Sequence, residues 1–316
     1  MSQPALAASL VSKDYLSVTD LSRVELDHVL ALAAAMKRDR AAGRAGAQPL
    51  ARRHVALLFE KPSLRTRTTF VIAVRELGGD IIELPARDAF GGREALGDVA
   101  RNLERWVSGV VVRTFGHARL ADFAAAARGL HVVNALTDEE HPCQALADML
   151  TLRERWGSVA GRTLTYVGDG NNVALSLAQA GVMLGLHVRV SSPPGFALSP
   201  AVVDTCRRLA APGASIDLVT DPVEAVDGAD AIYTDVWTSM GQEQQASARD
   251  AAFGAYQVNE ALMARARPGA LFMHCLPAHR GQEVTDAVMD SAVSVVFDQA
   301  ENRLHTQKAL VALLMG

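Results

Sequence analysis

Several short stretches of this chain place charged, amide and hydroxyl side chains where a strand gives way to a helix. In Phe59-Glu60-Lys61-Pro62-Ser63-Leu64-Arg65-Thr66-Arg67, two arginines and two hydroxyls converge on such a junction. The first amides of a helix lack intrahelical partners and the dipole there favours negative charge, so the junction can bind an anion. Arginine adds a fork that matches phosphate oxygens. The same residues also read as a capped helix start with solvated arginines. No G-x-x-x-x-G-K-[ST] string occurs, so this is not a nucleotide P-loop. Arg113 closes an apolar run, either aimed into a crevice or held in a surface ion pair. In His141-Pro142-Cys143-Gln144, proline suits the first helical turn. His141 then sits beside the strand ends, where an imidazole can donate to a carbonyl oxygen that gains negative charge. A histidine that only caps the helix is the equal alternative. Gln144 offers amide contacts, and Cys143, with no basic partner in the motif, reads as packing.

The second half of the chain is similarly marked. Val167-Gly168-Asp169-Gly170-Asn171-Asn172 has the outline of a dinucleotide fingerprint but lacks the third glycine. No acidic residue lies between Asp169 and Asp204 to hold a ribose, which disfavours a nicotinamide cofactor. Asn171 and Asn172 instead suit an amino-acid headgroup. Asp235, just past a strand, can receive a cation, with Ser239, Met240 and Gly241 close behind; an Asx-type turn is the structural alternative. Met273-His274-Cys275-Leu276-Pro277-Ala278-His279-Arg280 gathers potential zinc ligands, but their spacing matches no common zinc pattern. Arg303 falls at a predicted helix start, as a second anion contact or as a surface residue.

These segments need rigid elements behind them. Short apolar runs at 54–59, 80–84, 109–113 and 131–134 alternate with helical patterns, including one at 66–77 stopped by Gly78 and Gly79. A scaffold helix begins at Ser22, where Ser22 and Glu25 form a capping box. The rhythm restarts near Gly161, with strands expected at 163–167, 187–190, 215–219, 229–233 and 270–273. Alternation of this kind predicts an α/β fold: two doubly wound parallel-sheet domains joined by helices. The expected division is residues 1–141, with the helix at 300–316 packing back on them, and residues 142–299, which include a connecting helix at 142–156. Ligands of open α/β sheets bind beyond the carboxyl ends of the strands, where the marked segments lie.

Bulk properties set wider bounds. At 316 residues, two domains are the better expectation. Hydrophobic residues make up 49% and charged residues 21%, and the formal net charge is -4 with no long basic run, so no nucleic-acid or anionic-membrane partner is expected. No apolar run is long enough to span a bilayer, and residues 1–10 lack the pattern of a signal peptide. The three cysteines, Cys143, Cys206 and Cys275, are scattered, which argues against a disulfide framework and fits a reducing cytoplasm.

Taken together and in order, these segments resemble the aspartate/ornithine carbamoyltransferase family, and specifically its ornithine branch, over essentially the whole chain. Ser63–Arg67 resembles the family's S-T-R-T-R loop, His141–Gln144 its H-P-[CT]-Q motif, Asp235 with Ser239-Met240-Gly241 the ornithine signature, and His274-Cys275-Leu276-Pro277 the second substrate motif. The resemblance implies transfer of the carbamoyl group of carbamoyl phosphate to the side-chain amine of L-ornithine, giving citrulline and phosphate. It implies that Ser63, Leu64, Arg65, Thr66 and Arg67 bind phosphate. Arg113, His141, Pro142, Cys143, Gln144 and Arg303 would hold and polarise the carbamoyl group. Asn172, Asp235, Ser239, Met240, Cys275 and Leu276 would line the ornithine site, with Arg113, His141, Asp235 and Cys275 closest to the chemistry. No metal or organic cofactor is expected, and a homotrimer or assembly of trimers is. Three departures stand out: Leu64 in place of threonine, Val71 in place of a frequent glutamate, and Ala89 or Phe90 where a neighbouring subunit's glutamine would reach carbamoyl phosphate. Within the enzyme class, acetylornithine, succinylornithine and putrescine are the rival acceptors; a non-catalytic binding protein of the same ancestry is the rival from another class.

Overall fold

The computed structural model describes residues 10–85, 90, 92–239, 241 and 243–316. Met240 and Ala89, both singled out above, lie outside the described residues. The chain divides into two compact units, residues 1–150 with 301–316, and residues 151–300.

The first unit carries the parallel strands β1 (His54–Phe59), β2 (Asp80–Pro85), β3 (Gly109–Arg113) and β4 (His131–Leu136) in the order β2-β1-β3-β4. Helix α1 (Arg23–Ala41) starts on the expected capping box, with the Ser22 hydroxyl accepting from the Glu25 amide and Glu25 reaching back to the Ser22 amide. α2 (Arg65–Glu76), α3 (Leu96–Glu104) and α4 (His117–Ala126) follow β1, β2 and β3. β3 is buried along its whole length because helices cover both faces of the sheet. Each of its valines gains about 1.5–3 kcal/mol over an exposed position. Ala56, Leu58, Val110, Val112, Leu120, Phe123 and Val132 form the core on one side. At the start of β3 the backbone is crowded: a Cβ on Gly109 would lie 2.3 Å from the Met315 methyl carbon and 3.1 Å from the His131 carbonyl oxygen. A side chain there would have to displace the end of Met315, so glycine gives the C-terminal helix its closest seat on that strand.

In the second unit, β5 (Thr163–Val167), β6 (His187–Ser191), β7 (Ser215–Leu218), β8 (Ala231–Thr234) and β9 (Leu271–His274) form an all-parallel sheet in the order β7-β6-β5-β8-β9. Between them run α6 (Asn172–Met183), α7 (Pro200–Leu209), α8 (Pro222–Val226), α9 (Ala246–Phe253) and α10 (Glu260–Met263), with α11 (Asp286–Met289) after β9. Val167, Ile232, Phe253, Phe272, Val284 and Val296 belong to its core. Two long helices span the division: α5 (Pro142–Trp156) runs from the first unit into the second, and α12 (Val296–Met315) runs back.

The doubly wound parallel architecture is as the alternation predicts. β8 and β9 lie one or two residues later than their apolar runs, so Thr234 and His274 end strands rather than open loops. α12 begins at Val296 and not near residue 300. Val296 is an anchor in the core of the second unit, a tertiary demand that the polar Asp298 and Gln299 conceal in the sequence.

Candidate active site

In each sheet the strand order reverses once, between β1 and β3 and between β5 and β8. The crevice at such a reversal, beyond the carboxyl ends of the strands, is where open α/β sheets hold ligands. Each unit carries a polar cluster there.

In the first unit, β1 leads into the Glu60–Leu64 turn and β3 ends on Arg113. The Glu60 amide donates to the Arg113 carbonyl at 2.8 Å, tying the two strand ends together. The β3–β4 register shifts after Val112, so Arg113 pairs with Leu136 and Ala135 is the extra residue. Arg113 is 7% exposed, which removes the surface-ion-pair alternative. α2 opens with Leu64 at its N-cap position, and no side chain caps it there. The start of α2 is therefore not capped by a side chain, and a helix start of this kind can present backbone amides to an anion. Leu64 itself is 78% exposed.

His141 lies immediately before α5 and its carbonyl accepts the amides of Gln144 and Ala145. Its ring is buried. Burial first, then the positive charges of Arg303, Arg113 and Arg65, hold its pKa well below the ordinary value. The imidazole is thus neutral near pH 7 and surrounded by guanidinium groups. Arg303 is buried, two turns inside α12 rather than at a helix start. It donates to Gln144 Oε1 at 2.5 Å and to Thr66 Oγ1 at 2.9 Å. Gln144 is fixed in turn by donating to Asp148 at 2.8 Å. These contacts bring Thr66, Arg65, Arg113, His141, Gln144 and Arg303 together. Arg67 points elsewhere: it is largely exposed, pairs with Glu83 and stacks on Phe59. Pro142 starts α5, and buried Cys143 donates to the Asn134 carbonyl at 3.4 Å with its thiol pushed up by burial to about 12. That thiol is a packing group, not a nucleophile. Phe90 packs against Phe123, with Arg119 over its ring.

In the second unit Asp235 directly follows β8 and is 6% exposed. Cys275 Sγ donates to Asp235 Oδ1 at 2.9 Å, and Asn171 Nδ2 donates to Oδ2 at 2.9 Å. Neither of these two partners is a cation. The field of the cluster is felt nearby: burial, then Asp235, Asp169 and Cys275, push the Tyr166 hydroxyl well above its ordinary value. Asn171, not Asn172, caps α6, accepting from the amides of Val173 and Ala174. Asn172 and Ser239 are half-buried beside these turns.

The glycine-rich turn after β5 is closely packed. A Cβ on Gly170 would meet the Leu198 nitrogen at 2.6 Å and the Phe196 oxygen at 2.7 Å, so this glycine serves packing. Asp169 pairs with buried Arg249, which also donates to the Trp237 carbonyl at 2.5 Å. Sequence reasoning missed Arg249. Its one signal is the i, i+4 spacing to Phe253, which puts a charge on the apolar face of α9.

Ligand atoms of Asp235, His274 and Cys275 lie within 4.8 Å of one another. The donor set does not suit a metal, because His274 Nδ1 accepts the Leu276 amide at 2.8 Å and Nε2 faces Glu283 at 3.3 Å. Both ring nitrogens are committed inside the protein. Arg280 is also occupied, by Asp286 and Asp290.

Comparison with known proteins agrees with these two halves. A family profile described as "Aspartate/ornithine carbamoyltransferase, carbamoyl-P binding domain" matches residues 13–154, and one described as "Asp/Orn binding domain" matches residues 160–314. The chain is 50% identical to the ornithine carbamoyltransferase of Parasynechococcus marenigrum, over 99% of this chain and 96% of that one. It is 48% identical to that of Thermococcus kodakarensis, over 98% and 99%. The solved ornithine carbamoyltransferase of Pyrococcus furiosus is 46% identical and superposes with a TM-score of 0.94, covering 98% of this chain and 99% of that one.

Proposed function

The chain belongs to the aspartate/ornithine carbamoyltransferase family, and we propose that it transfers the carbamoyl group of carbamoyl phosphate to the side-chain amine of L-ornithine, forming L-citrulline and phosphate. The observation that carries this reading is the neutral His141 imidazole set among Arg65, Arg113 and Arg303. Cationic forks hold a phosphate, while a neutral imidazole can donate one hydrogen bond without adding charge. Ser63, Arg65 and Thr66 with the first amides of α2 take the phosphate. Arg113, His141, Gln144 and Arg303 take the carbamoyl group. Leu64 contributes backbone alone, and Arg67 acts through its ion pair with Glu83.

In the second unit Asp235 and Cys275 receive the ornithine side-chain amine, and Asn172, Ser239, Met240 and Leu276 line the rest of that substrate. The neutral amine nitrogen attacks the carbamoyl carbon, forming the N–C bond. Arg113 and His141 stabilise the oxyanion that develops. The bond from carbon to the phosphate oxygen then breaks, and the departing phosphate takes the proton that the amine loses. Asp235 orients the amine; a carboxylate beside it favours the protonated form, so Asp235 does not itself promote deprotonation. No metal or organic cofactor enters these steps.

Two broader assignments belong to the same reading. Among the described residues no helix is long and apolar enough to cross a membrane, and none of the three cysteines forms a disulfide, in keeping with a cytoplasmic enzyme of arginine metabolism. The homotrimer expected of the family is tested by sedimentation, which should return three times the 33.6 kDa chain mass.

The deciding experiment is citrulline formation from carbamoyl phosphate and ornithine, run beside acetylornithine, succinylornithine and putrescine. Turnover with ornithine alone is the expected result. Turnover with another amine keeps the chemistry and reassigns the acceptor. No turnover with any of them, with ornithine still bound, identifies a binding protein instead.

A further inference from the structure

Arg303 reaches the cluster around His141 from α12, whereas Arg65 and Thr66 come from α2. Two helices must therefore hold their arginines in register. Gln307, four residues after Arg303 on α12, is fully buried, and the proposed reaction assigns it no role. A buried amide costs free energy unless both of its ends find partners. Here the neighbours are the Arg303 guanidinium and the Thr69 hydroxyl. Arginine only donates, so the amide oxygen must face it. In that orientation the oxygen accepts from Arg303 Nε at 3.2 Å and Nη2 at 3.1 Å, and the nitrogen donates to Thr69 Oγ1 at 2.6 Å. Thr69 can accept this bond because its own proton goes to the Arg65 carbonyl at 2.7 Å. An unbroken chain thus runs from the Arg65 backbone through Thr69 and Gln307 to Arg303. The other guanidinium contacts are the bonds to Gln144 and Thr66 described above. All three of these acceptors are neutral, so they aim the guanidinium without cancelling its charge. The seat of α12 is fixed separately. Lys308 donates to Glu76 at 2.7 Å, and Lys37 on α1 donates to Asn302 at 2.8 Å. Removing the Gln307 amide therefore loosens a side chain and not the helix.

We propose that Gln307 and Thr69 are positioning residues for carbamoyl phosphate: they lock the Arg303 side chain to the first turn of α2, so that the guanidinium and the anion-binding turn at Arg65 meet the donor substrate at a fixed spacing. This inference rests on the proposed reaction and deepens it. Without the Gln307 oxygen, Arg303 loses the acceptor at its Nε edge and regains rotamer freedom, which binding must then remove. The residues concerned all belong to the first unit.

Methionine has nearly the length of glutamine but offers only a weak acceptor. Gln307→Met should raise KM for carbamoyl phosphate about tenfold, the loss of one hydrogen bond to a charged group. KM for ornithine, measured at saturating carbamoyl phosphate, should stay unchanged. Thr69→Val should raise the carbamoyl-phosphate KM about threefold, and Thr69→Ser, which keeps the hydroxyl, should restore it. The double variant Gln307→Met/Thr69→Val should be no worse than Gln307→Met, because the two groups act as one chain. An unchanged carbamoyl-phosphate KM in Gln307→Met, or parallel rises in both KM values, would overturn the proposal. Thr69 is only half-buried, so its variants decide the matter even where Gln307→Met does not fold: equal carbamoyl-phosphate KM in Thr69→Val and Thr69→Ser overturns it. Calorimetric binding of carbamoyl phosphate to the same variants should return the same ratios in Kd and needs no turnover. Absence of citrulline from the unaltered chain would overturn the functional reading, while the Kd ratios still decide whether Gln307 and Thr69 position Arg303. Absence of carbamoyl-phosphate binding to the unaltered chain would overturn both.

Discussion

Arg65, Arg113 and Arg303 act on one imidazole, and that convergence makes the first cluster more than a basic patch. A guanidinium–phosphate contact is a charge-assisted, forked hydrogen bond, and losing one costs about 1.5–3 kcal/mol. Arg65→Ala should therefore raise the carbamoyl-phosphate requirement about 10–100-fold with an unchanged circular-dichroism spectrum; near-normal carbamoyl-phosphate use would remove Arg65 from the site. His141 adds a pH signature. Burial and the three arginines depress its folded-state pKa well below the value of about 6.5 it has when unfolded. Burial also lowers that of His305. Below pH 6.5 the unfolded chain binds protons that the folded chain refuses, so stability falls as pH drops through that range and levels off above it. Melting temperatures measured from pH 7.5 down to pH 5 should show this decline, and His141→Asn should flatten part of it. An identical slope in the variant would mean that His141 is not held neutral.

At the scale of elements, the turns after β5 and β8 put Asp235 where it can work, and they do so through close backbone packing. Gly170 is the tightest point, since any Cβ there meets backbone atoms of the Phe196–Leu198 segment that cannot swing aside. Gly170→Ala should destabilise the chain by about 1–3 kcal/mol in urea denaturation, the usual cost of overpacking. If the midpoint does not move, the turn is looser than its geometry implies. The start of α2 illustrates the opposite case. Leu64 offers no side-chain cap where a threonine could supply one. The departure from the family loop thus falls on an exposed side chain and leaves the anion-binding backbone in place.

For the whole molecule, the polar clusters of the two units have opposite electrostatic character, cationic around His141 and anionic around Asp235. A ligand that binds only the folded chain stabilises it by mass action, by about 2.7 kcal/mol at a hundredfold excess over Kd. Carbamoyl phosphate at such an excess should raise the melting temperature of the unaltered chain and should raise that of Arg65→Ala distinctly less. An equal rise in both would place the phosphate elsewhere.

The residue order alone was enough for the parallel architecture, because strand and helix periodicities are local and alternate without interruption from His54 onward. It also marked His141 and Asp235, since both lie in loops after apolar strands, but from the residues alone it left a capping histidine and an Asx-type turn as alternatives. The sequence could not show that Arg303 is buried two turns inside α12, because that placement depends on a long-range contact with Thr66 and Gln144. It could not separate Arg67, paired with Glu83 on the surface, from Arg65 two residues earlier, because the helical turn decides which arginine faces inward. Arg249 and Glu283 stayed hidden for the same reason: a buried charge is recognised by the partners that surround it, and those partners lie far along the chain. Periodicity and motif order are properties of neighbours in sequence. Tautomer, ion-pair partner and burial are properties of neighbours in space, and only the tertiary structure decided them.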